Sequence, residues 1–160
     1  MRFVVKKFLS IIFMILALSI NVQAATWVQV GDYEYIDKDS VEYYIDDHEE
    51  LQFNKKIFWL KVDNKNNTFK EIEKDIKKKI SYSLQQKIIN TTQKKLATKS
   101  IILYDKQDSS VFSYTYKDFE LKWDAIVPNT NGEFWYELVK KPKYLKKLYK
   151  MQLMEQSRQE

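Results

Sequence analysis

Thr68 to Ile88, TFKEIEKDIKKKISYSLQQKI, is the stretch on which the reading of the fold turns. Phe69, Ile72, Ile76, Ile80, Leu84 and Ile88 recur every three or four residues, the spacing that gathers side chains on one face of an α-helix. Thr68 and Glu71 stand at the spacing of a capping box. Glu71, Glu73 and Asp75 precede Lys77, Lys78 and Lys79, the order a helix dipole favours, and Glu73–Lys77 and Asp75–Lys79 are i,i+4 pairs. The pattern predicts one long amphipathic helix that fades at Asn90-Thr91-Thr92. A stripe on one side only needs a surface to lie on, and a sheet is the natural one.

The flanking segments supply that sheet. Before the stretch, Val28 and Val30 share one side of a first strand, and Tyr33 and Tyr35 line another after the Gly31-Asp32 turn signal. Asp37-Lys38-Asp39-Ser40 reads as a turn and Asp46 to Glu50 as an acidic loop. Ile57 to Val62 (IFWLKV) is a strand of aromatic and β-branched residues without a breaker. After the stretch, Leu96 to Tyr104, a turn at Asp105 to Ser110, and Val111 to Tyr116 (VFSYTY) form a hairpin. Glu133 to Val139 suits a last short helix or strand, and Pro142 starts another helix containing Leu145, Leu148 and Leu153. The sum is an α+β fold: an antiparallel β-sheet packed against one long amphipathic helix, with a C-terminal helical extension. The expected organisation is a leader at 1–24, a single α+β domain at 25–139 and a basic helical tail at 140–160.

The leader has the three parts of a secretory signal peptide. Arg2, Lys6 and Lys7 precede the uncharged run Phe8 to Ile20 (FLSIIFMILALSI), and Val22 and Ala24 occupy the −3 and −1 positions of a cut after Ala24. A permanent membrane span needs roughly 20 apolar residues, more than this run holds. The chain is therefore expected to be exported, to the periplasm or to the cell surface and medium. It has no cysteine, so it relies on packing rather than disulfides, and its 11 Tyr, 9 Phe and 4 Trp supply the buried area.

Charge is unevenly placed. The whole chain carries +5, but residues 25–139 hold an excess of acids, while 140–160 carry seven basic residues against Glu155 and Glu160. A slightly acidic body with a basic tail is no footprint for nucleic acid, which is not an expected partner. Lys140, Lys141, Lys143, Lys146, Lys147 and Lys150, interleaved with Tyr, Leu and Met, read in two ways. They form either a contact for anionic lipid or polysaccharide, or the solvated side of a terminal helix whose apolar edge packs on the domain.

No catalytic, cofactor-binding or metal site is expected. His48 is the one histidine and sits in the acidic loop without a serine elbow elsewhere. Asp46-Asp47-His48-Glu49-Glu50 lacks the looped geometry and glycine of a calcium site, and one histidine without thiolates builds no closed zinc site. Two glycines give no phosphate-cradling loop. Asp37, Asp39, Asp105, Asp108 and Asp124 fall at turns and strand ends, where acids are common. Two aromatic rows, Tyr33/Tyr35 and Phe112/Tyr114/Tyr116, read as core or as a binding face for sugar or peptide.

Taken together, YIDKDSV at Tyr35 to Val41, FWLK at Phe58 to Lys61, ILYDKQDSSV at Ile102 to Val111 and WDAIVPNTNGEFWYELV at Trp123 to Val139 resemble the surface-adhesin E family of small exported bacterial proteins. The resemblance spans most of residues 27–139. It implies an antiparallel sheet carrying a helix, no enzymatic activity and no cofactor. It also implies a binding role toward a host or cell-envelope protein, and a capacity to form a homodimer. Members often carry a cysteine near Leu96 and another near Val139, implying a tie between strand and C-terminus; both are absent here.

Overall fold

The computed structural model describes residues 25–65 and 67–159. Their elements, in chain order, are β1 (Trp27–Gln29), β2 (Glu34–Asp37), β3 (Glu42–Ile45), β4 (Leu51–Asp63), α1 (Lys70–Ile76), β5 (Tyr82–Asn90), β6 (Lys95–Tyr104), β7 (Ser110–Thr115), a 3-10 turn (Asp118–Glu120), β8 (Asp124–Ala125), α2 (Asn131–Lys140) and α3 (Pro142–Gln156). The strands make one sheet in the order β1-β2-β4-β5-β6-β7, and every pairing is antiparallel. The two longest strands each serve two short partners on one edge. β4 takes β2 along Leu60–Val62 and β3 along its first half, and β6 takes β7 and β8 likewise. The α+β class and the C-terminal helix are as the sequence indicates.

The long helix is not. Helix α1 ends at Ile76, and Tyr82–Asn90 is instead a central strand paired with both β4 and β6. Lys77 adopts the left-handed conformation (φ 55°), and the Glu73 carboxylate accepts the Ile80 N–H at 2.8 Å, turning the chain back. Glu73 pairs with Lys79 across that turn rather than with Lys77. The expected capping box is absent as well: Phe69 occupies the N-cap, and Glu71 reaches Lys74 at 3.0 Å.

What covers the sheet is therefore different from the expectation. One face carries Val28, Ile36, Phe58, Leu60 and Ile89, and these pack against Tyr136, Leu138 and Val139 of α2 and Leu145 of α3. Farther along the same face, Phe69, Ile76 and Ile80 cover Leu103, Val62 and Ile101. Each of these apolar side chains is removed from water on the side where its strand alternation places it, which is the main stabilising term of the domain. The opposite face is covered at one end only, where Leu121 and Trp123, following the 3-10 turn, lie on Tyr44, Ile57 and Ile88.

Candidate functional site

Strand registers determine what the uncovered part of the second face presents. Tyr35 of β2 stands opposite Lys61 of β4, Lys61 opposite Leu84 of β5, and Leu84 opposite Ile102 of β6. Trp59 is opposite Gln86, and Tyr82 opposite Tyr104. Successive side chains alternate between faces, so Tyr35, Trp59, Lys61, Tyr82, Leu84, Ile102 and Tyr104 share one side, and all are half-buried. The Lys61 ammonium lies 4.8 Å from the Tyr82 ring centre and 5.8 Å from that of Tyr35. Tyr82 stacks on Tyr104 at 4.8 Å with planes 10° apart. The result is an aromatic–cation–aromatic ladder across four strands, held by ring stacking and cation–π attraction. Burial, together with the Asp108 carboxylate that accepts its O–H at 3.1 Å, pushes the Tyr82 phenol up to about 12, so it stays a neutral donor.

The two tyrosine-rich rows named from the sequence separate. Tyr35 joins the ladder. Phe112 and Tyr114 of β7 stand opposite Leu103 and Ile101, on the helix-bearing face, where both remain exposed. Neither row is core. Trp59, Tyr82 and Tyr104, which complete the platform, were hidden in sequence: Tyr82 falls inside the apparent helix, and the others in strands whose facing depends on registers no sequence prints.

One end of the second face is closed by ions. Lys99, only 9 % exposed, donates to Asp118 at 2.7 Å and to Asp47 at 2.8 Å, and the Tyr44 hydroxyl also bonds Asp118. The Asp118 N–H donates to Asp47 at 2.7 Å, and the Asp47 N–H to Asp118 at 3.1 Å. Burial pulls the Lys99 ammonium down, but its hydrogen bonds to Asp118, Asp47 and Tyr44 outweigh that and hold it above its ordinary value. Burial and the Asp118 acceptor raise Tyr44 to about 12. The acidic loop is thereby tied to the sheet.

Most of the remaining candidate acids serve local structure, while Asp124 lies exposed in β8 opposite Leu96. Asp46 accepts the N–H groups of His48 and Glu50 and the Gln52 amide. Asp37 accepts those of Thr26 and Asp39, Asp105 those of Gln107 and Ser109, and Asp39 pairs with Lys38. Among the described residues, no group of three or more His, Cys, Asp or Glu side chains is placed to hold a metal ion.

Helix α3 carries the basic residues. Leu145, Leu148, Tyr149 and Gln152, at i, i+3, i+4 and i+7, turn inward; Leu145 is wholly buried and Gln152 exchanges hydrogen bonds with the Gln29 backbone. Lys143, Lys146, Lys147 and Lys150 repeat the same spacing two residues earlier and face solvent. Lys140 donates to the Tyr136 hydroxyl at 3.2 Å, and Lys141 and Lys143 each lie 5.5 Å from the Tyr144 ring centre. Among the described residues, none of these six lysines makes an ion pair. Cleavage after Ala24 concerns residues outside those described.

The arrangement defines a class: an antiparallel sheet with one face sealed by terminal helices and the other left largely open. No protein-family model matches the chain, and no curated protein does. Among solved structures it is similar to the crystal structure of protein E from non-typeable Haemophilus influenzae, at 16% identity and a TM-score of 0.49, covering 81% of this chain and 88% of that one. A second, crystal form II of Haemophilus influenzae protein E, is 16% identical with a TM-score of 0.46 and covers 73% and 87%. No described helix is long and apolar enough to cross a membrane.

Proposed function

We propose that this chain is an exported, non-enzymatic binding protein with an adhesin-like role, which contacts a host or cell-envelope protein through its open sheet face. The observation that carries the proposal is the ladder of Tyr35, Lys61, Tyr82 and Tyr104 with Trp59 beside it, partly exposed on the sheet. Tyrosine and tryptophan bring large contact areas at small cost in side-chain freedom, and they dominate the energetics of protein interfaces. Two further features agree with this reading: the signal-peptide pattern of residues 1–24, which we take to be cut after Ala24, and the sequence resemblance to the surface-adhesin E family.

Two measurements test it. Protease applied to intact cells should release peptides of a chain whose mass begins after Ala24; a chain protected until the envelope is opened overturns the surface role. The double variant Tyr35→Ser, Trp59→Ser should then lose at least about tenfold in affinity for an immobilised extracellular-matrix protein that the wild type binds, the loss of two interface anchors. Unchanged binding by a folded variant removes the sheet face from the proposal.

A further inference from the structure

We propose that the outer face of α3 is a docking face for an anionic lipid bilayer, separate from the open sheet face. The two stripes of this helix carry the argument. Its inner stripe, anchored by Leu145, prevents the helix from rolling, so the outer stripe of Lys143, Lys146, Lys147 and Lys150 is presented as a fixed row. Lysines at i, i+3 and i+4 repel one another along a helix, and no acid on α3 relieves them before Glu155. A plane of negative charge relieves all four at once. Lys140 and Lys141 add two more positive charges at the junction before the row, where α2 ends.

The apolar residues decide between a bilayer and a soluble polyanion. Tyr144, Met151, Leu153 and Met154 flank the lysines, and each is between 41% and 53% exposed. A polysaccharide gives such side chains nothing to enter. A bilayer does: methionine and leucine reach the boundary of the acyl chains while the lysines stay among the headgroups, and tyrosine sits at that level with its hydroxyl in water. Tyr144, now beneath Lys141 and Lys143, is uncovered when these turn to lipid phosphates.

The test uses the full chain, in which the apolar run Phe8–Ile20 is common to every variant, and sedimentation with two kinds of vesicle. One is phosphatidylethanolamine with a quarter phosphatidylglycerol; the other is phosphatidylcholine alone. The variant K143Q/K146Q/K147Q/K150Q should bind the anionic vesicles at least about tenfold more weakly than wild type, since each lysine near an anionic surface adds to the attraction. The two proteins should bind phosphatidylcholine alike. Equal binding of both proteins to the anionic vesicles overturns the proposal. The variant Y144S/M151S/M154S should weaken vesicle binding but leave binding to soluble dextran sulfate unchanged. If it leaves both unchanged while the lysine variant loses both, the face takes a polysaccharide and the bilayer is excluded. Neither variant alters the open sheet face, so matrix-protein binding reports on that face independently.

Discussion

The ammonium of Lys99 lies 2.7 Å from the carboxylate of Asp118, and this contact holds the chain segment after β7 across the end of the sheet. Lys99 is the only cation bonded to both Asp118 and Asp47 among the described residues. Replacing it with Met leaves two facing carboxylates and a Tyr44 hydroxyl without their shared cation. The carboxylates reach solvent, with side chains 28% and 31% exposed, so the cost stays well below that of a fully buried pair. Lys99→Met should destabilise the domain by about 1–2 kcal/mol, read from urea midpoints.

The same cluster sets a pH dependence. The Lys99 hydrogen bond holds Asp47 below its ordinary 3.8; for Asp118, burial pushes upward, but Lys99 and Tyr44 win and the value is also lowered. A carboxylate lowered in the folded state stabilises it above the unfolded value, and that stability disappears as pH falls through the folded value. Wild-type stability should therefore fall below about pH 4 more steeply than that of Lys99→Met, compared by urea unfolding at pH 7 and pH 3. Equal slopes would show that the two acids are not stabilised by this lysine.

Lys87 behaves in the opposite sense. It stands on the covered face opposite Phe58 and Thr98, donates to the Thr98 hydroxyl at 2.8 Å, and is lowered by burial to about 8 against the weaker pull of Asp124 and Glu34. A lysine lowered on folding destabilises the native state while it is charged, and the penalty fades as pH rises from about 8 toward 10.5. Lys87→Met should raise stability at pH 7 by on the order of 1–2 kcal/mol and flatten the rise that the wild type shows between pH 8 and 10.

Lys87 also shows why one part of this fold was legible in sequence and another was not. Strands β4, β6 and β7 announce themselves through β-branched and aromatic residues between turn signals, and Pro142 marks the start of α3. The segment after Ile76 does not. Ile80, Leu84 and Ile88 are four apart, a spacing that falls on one face of a helix and equally on one face of a strand. The covered face of β5 is Ser83, Gln85, Lys87 and Ile89, so the polarity that would have argued for a strand is largely inverted. The open aromatic platform inherits this difficulty, because its Tyr82 lies in the segment whose spacing suits a helix. The helical character of α3 was plain from Pro142 and from Leu145 and Leu148 set among lysines.

The turn that ends α1 rests on one carboxylate. Glu73 takes the Ile80 N–H at 2.8 Å and the Lys79 ammonium at 3.1 Å, and the first of these is the larger reason that its carboxyl lies below the ordinary range. Glu73→Ala removes the acceptor while leaving helix propensity intact. The Ile80 amide should then exchange its hydrogen faster, while amides in β6 keep their protection. Unchanged exchange at Ile80 would mean that the backbone alone makes this turn.

Helix α3 is built into the core rather than appended to it. Leu145 is fully buried among the residues that join β1, β4 and α2, and Lys56 ties the junction before it by donating to the carbonyls of Val139 at 3.2 Å and Lys140 at 3.4 Å. Leu145→Ala should cost about 2–4 kcal/mol, the lost transfer energy plus the cavity left where a well-packed site cannot collapse. Ending the chain after Val139 removes the same side chain and uncovers Val28 of β1 as well, so it should cost at least as much and expose apolar surface to a hydrophobic dye. If the truncated chain instead keeps the wild-type urea midpoint, α3 contributes no stability, and its lysines sit on a dispensable tail rather than on a fixed face.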